Sequence, residues 1–193
     1  MGEQNVGALD KDSLRDFTRA LLDDVQALER MIDTGMIESG IQRIGAEQEF
    51  CIVDSSWRPA PLAEQMLEQL DPKFFTTELA KFNIEANLSP RTFTAGSLLA
   101  MEQELETCVA DARRVARSLG GDVVLAGILP TLTEEHVSLD WMTDQARYFE
   151  LNDALVDLAG GEFHTLIKGV DQLETSAKNV MLEACNTSFQ IHF

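Results

Sequence analysis

Glu47 and Glu49 lie two residues apart in Arg43–Val53, a stretch that reads as a β-strand. Alternate residues of a strand project from one face, so the two carboxylates share a face, about 6–7 Å apart along the strand. Ile44, Ala46, Phe50 and Ile52 fall on the other face. The pattern recurs twice. Phe82, Ile84, Ala86 and Leu88 oppose Asn83, Glu85 and Asn87; Thr187, Phe189, Ile191 and Phe193 oppose Ser188, Gln190 and His192. If these segments share one antiparallel sheet, their apolar faces pack on helices. The opposite face then becomes a cup lined by Glu47, Glu49, Glu85 and His192.

Crowded carboxylates repel one another unless a cation neutralises them. A site rich in oxygen ligands with one imidazole suits Mg²⁺ or Mn²⁺ better than structural zinc. Mg²⁺ fills the rest of its shell with water and substrate phosphates, which points to phosphoryl transfer from ATP. Each residue alone says less. An E-x-E pair is ordinarily the solvent-facing stripe of a half-exposed sheet. The sequence has no G-x-x-x-x-G-K-[ST] phosphate loop, which argues against a P-loop kinase. The same acids would also serve a metal-dependent hydrolase, or a non-catalytic domain that binds metal or a partner.

Several elements must position this cup. Asp12 or Ser13 can cap a helix running to about Asp33, after a mobile arm of about a dozen residues. Leu14, Phe17, Leu21, Val25, Leu28 and Met31 or Ile32 form one apolar stripe on it. That stripe is expected to pack on the chain's own sheet; a dimer seam, and so a homo-oligomer, is the alternative. Pro59–Leu70 reads as a turn and short helix. Ser97–Leu119 reads as a long amphipathic helix stopped by Gly120 and Gly121. Val123–Ile128 reads as a buried strand, and Ala146–Leu158 as a helix closed by Gly160 and Gly161. The chain stops inside its final strand pattern, where domains ordinarily end in frayed polar residues, so truncation is expected.

Composition narrows the classes. The 193 residues are 45% hydrophobic and 25% charged, as in ordinary globular proteins. A net charge of −18 disfavours nucleic acid and anionic membrane surfaces as partners. No apolar run reaches bilayer-spanning length, and the N-terminus lacks the pattern of a secretory signal. Cys51, Cys108 and Cys185 form no C-x-x-C pair and read as reduced packing residues of a cytoplasmic protein. His136 and His164 have no evident partner and read as surface residues.

Five segments, in order, carry a family resemblance. RIGAEQEFCIVD resembles the opening G-x-E-x-E-F strand of the glutamate–cysteine ligase superfamily, and TTELAKFNIEANLSP resembles its next segment. GILPT, ARYFELN and NTSFQIHF resemble the strand end, Arg-Tyr segment and histidine strand that follow. The resemblance implies a glutamine-synthetase-like α+β fold, an antiparallel curved sheet packed on helices. It covers residues 41–193 as the N-terminal part of a catalytic domain, with residues 1–40 as an added arm and helix. It implies an ATP-dependent carboxylate–amine ligase forming an amide through an acyl phosphate, as in glutathione biosynthesis. Amino-acid carboxylates and amines are then the substrates, with Mg²⁺ or Mn²⁺ as cofactor and ATP as co-substrate. It adds Glu78 to Glu47, Glu49, Glu85 and His192 as metal ligands, and Arg147 as a holder of a substrate carboxylate. Two positions depart from the family pattern. The family's G-T-H-P version of the fourth segment reads Gly127-Ile128-Leu129-Pro130 here, without the histidine, and Gln190 stands where many relatives carry a second histidine.

Overall fold

The computed structural model describes residues 11–193. Its elements run α1 (Lys11–Asp33), β1 (Arg43–Val53), α2 (Ala63–Leu67), β2 (Phe75–Thr77), β3 (Asn83–Asn87), β4 (Arg91–Thr92), α3 (Ser97–Ser118), β5 (Asp122–Val124), α4 (Ala146–Leu158), β6 (Phe163–Lys168), β7 (Gln172–Ala177) and β8 (Phe189–His192). The class is α+β. β1 is the longest strand and the axis of a six-stranded sheet in which β3, β4, β5 and β8 all pair with it antiparallel. β3 lies along one edge of β1, with β2 beyond it. Glu47 and Gln48 face both β3 and β8, and Cys51 faces both β3 and β5, so β8 and β5 occupy the opposite edge.

Alternation in β1 decides which face is core. Ile44, Ala46, Phe50 and Ile52 are buried, and join Phe75, Ile84 and Ala86 from β2 and β3. Ala63 and Met66 of α2 and Met101, Cys108, Ala112 and Val115 of α3 cover them. A second cluster holds Leu79, Phe82, Met142 and Met181, with Tyr148 and Phe149 of α4 against it. All three cysteines are free and buried, as packing residues should be.

The glycine stop of α3 follows from backbone geometry. Gly120 has φ of +85°, a conformation that costs glycine little. There its N–H donates to the Arg117 carbonyl and that of Gly121 to the Ala116 carbonyl, satisfying helix-end acceptors in a Schellman motif.

The structure corrects several expectations. α1 is already helical at Lys11; the arm's first ten residues, and the side chains of Asp12, Ser13 and Leu14, lie outside the described ones. The α1 stripe does not pack on the sheet: Phe17, Leu21, Val25 and Leu28 are all exposed. The reason is occupancy, since α2 and α3 already cover the apolar face of β1 and β3. The apolar face of β8 is likewise uncovered, with Phe189, Ile191 and Phe193 exposed. The helix expected over Pro59–Leu70 shrinks to Ala63–Leu67, and the strand expected over Val123–Ile128 to Asp122–Val124. The hairpin β6–β7 was not foreseen; its residues are mostly exposed, so no burial pattern marks it. His136 is buried rather than superficial. Its Nδ1 accepts the Thr133 N–H at 3.0 Å, and its ring lies 4.8 Å from that of Trp141. His164 is exposed on β6, as expected.

Close packing at the end of α3 gives a test. A Cβ at Gly121 would lie 2.8 Å from the Val53 carbonyl oxygen and 3.0 Å from a Leu62 methyl, whereas one at Gly127 would meet nothing within 4 Å. Gly121→Ala is expected to cost about 1–3 kcal/mol in urea unfolding, and Gly127→Ala much less. Equal losses would contradict the packing described.

Candidate functional site

The face of the sheet opposite the core carries the predicted acids. Glu49 sits directly across from Glu85 in the β1–β3 register. Two carboxylates facing each other on neighbouring strands repel, so the pair needs a compensating reason. Glu78 follows the end of β2 and reaches the same point. One carboxylate oxygen from each of Glu49, Glu78 and Glu85 lies within 4.8 Å of the others. Glu78 is fixed by its surroundings: its carboxylate accepts the Leu79 N–H at 3.2 Å, and its carbonyl accepts the Thr143 hydroxyl at 2.6 Å.

Glu49 is held from the start of β8 and the residue before it. Its carboxylate accepts the Ser188 N–H at 2.7 Å and the Ser188 hydroxyl at 3.3 Å. The Gln190 amide donates to it at 3.5 Å. Gln190 thus stands against the cluster.

Glu47 and His192 stay outside the triad. They share its face, but pair with each other, Glu47 Oε2 to His192 Nε2 at 3.3 Å. The register explains this: His192 lies opposite Gly45, toward the start of β1, while Glu49 lies toward its middle. The residues expected from the sequence therefore fall into two adjoining groups, Glu49–Glu78–Glu85 and Glu47–His192, on one surface.

Electrostatics mark the triad. Burial pushes the Glu78 carboxyl up to about 8, reinforced by the hydrogen bond and charge of Glu85 and by the charge of Glu49. Burial also raises Glu49, against the lowering effect of the Ser188 hydrogen bonds; Glu85 and Glu47 add to the rise. With nothing else present, the cluster retains a proton near neutral pH. A divalent cation relieves the same repulsion by replacing that proton, so the three carboxylates fit such an ion.

Arg147 lies in the first turn of α4. It donates to the Thr77 hydroxyl and to the Tyr148 hydroxyl, each at 2.6 Å. Its guanidinium carbon stands 4.5 Å from the centroid of the Tyr148 ring. Thr77 immediately precedes Glu78, so this group adjoins the triad. Thr77, Tyr148 and Ser188 were not singled out as site residues from the sequence; Tyr148 carried a signal in the Arg-Tyr pair of ARYFELN.

The fold and the site define a class: an α+β protein whose antiparallel sheet carries a carboxylate cluster on the face away from its core. Within it the assignment is specific: residues 43–193 match the glutamate-cysteine ligase family 2 (GCS2), and the chain belongs to that family. Two curated relatives agree. A provisionally named glutamate–cysteine ligase 2-2 of Frankia casuarinae is 36% identical over 100 residues, covering 49% of this chain and 11% of that protein. A provisionally named glutamate–cysteine ligase 2-3 of Frankia alni is 32% identical over 111 residues, covering 57% of this chain and 12% of that protein. The matched segment thus spans about an eighth or less of either relative's length. No solved structure matches the chain. No helix among the described residues is long and apolar enough to cross a membrane.

The raised Glu78 carboxyl predicts a pH dependence. Its folded-state pKa, about 8, exceeds its ordinary value of 4.5. The folded state therefore binds more protons across that window, and stability from this group is lost as pH rises through it. In EDTA, the melting temperature should fall between pH 5 and pH 9, and the fall should shrink in Glu78→Gln. A wild-type profile identical to that of Glu78→Gln would refute the assignment.

Proposed function

We propose that this chain supplies the cation-holding face of an ATP-dependent carboxylate–amine ligase resembling glutamate–cysteine ligase. The observation that carries the reading is the convergence of Glu49, Glu78 and Glu85 on one point, in a chain of the glutamate-cysteine ligase family 2. Glu49, Glu78 and Glu85 would hold one Mg²⁺ or Mn²⁺, and Glu47 with His192 would hold or steer a second. When bound, such ions neutralise phosphate charge in phosphoryl transfer. The sheet is then the first part of a glutamine-synthetase-like fold, residues 41–193, with residues 1–40 preceding it.

In the reaction proposed, a substrate carboxylate takes the γ-phosphoryl group of ATP and ADP departs. An amine then attacks the acyl carbon of that acyl phosphate, and inorganic phosphate leaves as the amide forms. The chain's own contribution is positioning and charge. Ser188 fixes the Glu49 carboxylate by two hydrogen bonds, and β1 and β3 hold Glu49 opposite Glu85. Arg147 would hold a carboxylate of the amino-acid substrate at the edge of the same face, by the charge-assisted bonds that guanidinium groups form. Glutamate is the carboxylate substrate to test first, on the family's name.

Mn²⁺ titration by calorimetry tests the site, and product analysis tests the reaction. Glu49→Gln should weaken Mn²⁺ binding at least tenfold, by loss of a charged ligand. Unchanged binding would remove the site. With the protein itself, ADP release should require both an amino acid and an amine. Phosphate release with no amine present would replace the ligase reading with a hydrolase.

A further inference from the structure

α1 carries an apolar stripe that no other described element covers. Leu21, Val25 and Leu28 are 50%, 56% and 51% exposed, and Phe17, Leu22 and Ile32 are exposed beside them. The apolar face of the sheet is already taken by α2 and α3. A continuous apolar stripe along a 23-residue helix marks a surface that meets something outside its own fold. Residues 15–33 hold five acids against three arginines, a negative balance that argues against an anionic membrane.

Spacing shows what fits the stripe. Leu21, Val25, Leu28 and Ile32 follow in steps of four, three and four, the a and d positions of a coiled-coil heptad. Leucine falls at d, and the β-branched Val25 and Ile32 at a, a choice that favours two strands in parallel coils. The residues flanking the seam decide the direction. With two such helices parallel, Asp24 of each copy would meet Glu29 of the other, two repulsive pairs. With the helices antiparallel about a two-fold axis midway between Leu21 and Val25, a positions face d positions. Leu21 then meets Val25, and Leu28 meets Thr18, of the second copy. Arg15 meets Glu29 in two attractive pairs, Phe17 flanks Met31, and Leu22 flanks Leu22. One like pair is left, Asp24 with Asp24, exposed at the rim of the seam.

We propose that α1 joins two copies of this chain as an antiparallel, two-stranded coiled coil centred between Leu21 and Val25. The same patch serves both copies, as a closed two-fold interface requires. Net charge favours the same direction. Each chain carries −18, so two copies repel. Antiparallel helices place their two Asp33 ends about 30 Å apart, well beyond the Debye length of about 8 Å at physiological salt. Parallel helices would bring those ends to within about 10 Å. The seam uses no residue of the Glu49–Glu78–Glu85 cluster, so pairing and cation binding can be measured separately.

Light scattering on the whole chain tests the pairing. At about 100 µM, where a dissociation constant of about 10 µM leaves most of the chain paired, it should report twice the 21.4 kDa chain mass. Leu21→Glu keeps a good helix former but puts a charge in the seam. It should return the mass to one chain while Mn²⁺ affinity stays at the wild-type value. Disulfide capture reads the direction, and the chain's own three cysteines are buried. Leu21→Cys and Val25→Cys chains, each oxidised alone, should stay unbridged, because like positions are offset by about 6 Å along the axis and fall outside disulfide reach. Mixed, the two variants should form a bridged heterodimer, seen by intact mass. Glu29→Arg should weaken pairing at least about fivefold by making two attractive pairs repulsive, and adding Arg15→Glu to the same chain should restore it. A one-chain mass for wild type at that concentration, or a two-chain mass kept by Leu21→Glu, would overturn the pairing. Bridges within either variant alone, or tighter pairing in Glu29→Arg, would mark parallel helices and overturn the proposal. Flotation of wild type with phosphatidylcholine vesicles, with loss of the two-chain mass, would give the stripe to a membrane instead.

Discussion

Glu49 and Glu85 stand opposite one another on adjacent strands, two like charges placed where a sheet ordinarily places attraction or indifference. Glu78 compounds the arrangement by bringing a third carboxylate to the same point. The cost is visible in Glu78, which burial and its neighbours hold protonated to about pH 8. Elsewhere the fold spends hydrogen bonds to keep these groups in place: Ser188 on Glu49, Leu79 and Thr143 on Glu78, Asn87 on Glu85. Sequences that only needed to fold would relieve this repulsion with a single glutamine. A cation held as proposed would relieve it.

The sheet makes the arrangement possible by separating tasks between faces. On β1, Phe50 and Ile52 anchor the core while Glu47 and Glu49 point the other way. Because the period of a strand is two, a slip of one residue in β1 would bury the acids and expose the core. Core packing and site assembly are thus enforced by one register. Two long-range partners tighten it: Asn83 donates to the Ala184 carbonyl at 2.8 Å, and Ser188, just before β8, donates to Glu49. The end of the chain therefore returns to complete the site that β1 begins.

Surface features show where the covering ends. α3 and α2 shield the middle of the sheet, but Phe189, Ile191 and Phe193 on β8, and the stripe of α1, remain exposed. Phe93 and Phe193 meet edge to face, 5.9 Å between centroids, yet both stay largely accessible. The family relatives are far longer than the segment matched here.

How much was legible beforehand depended on the range of the interaction involved. Alternation of apolar and polar residues in Arg43–Val53 and Phe82–Leu88 is local, and it gave the strands, the buried faces and the side on which Glu47, Glu49 and Glu85 project. Glycine pairs after Ser97–Leu119 and Ala146–Leu158 ended those helices for an equally local reason, the freedom of glycine at positive φ. Family likeness brought in Glu78 and Arg147. Tertiary structure alone decided that Glu78 joins Glu49 and Glu85 while Glu47 turns to His192, since that depends on strand register. It also decided that His136 is buried against Trp141, and that α1 finds no place on a face already filled. Sequence periodicity reports which side of an element is apolar, because that is a property of neighbouring residues. What meets that side, and which carboxylates share a proton, are set by contacts between residues far apart in the chain.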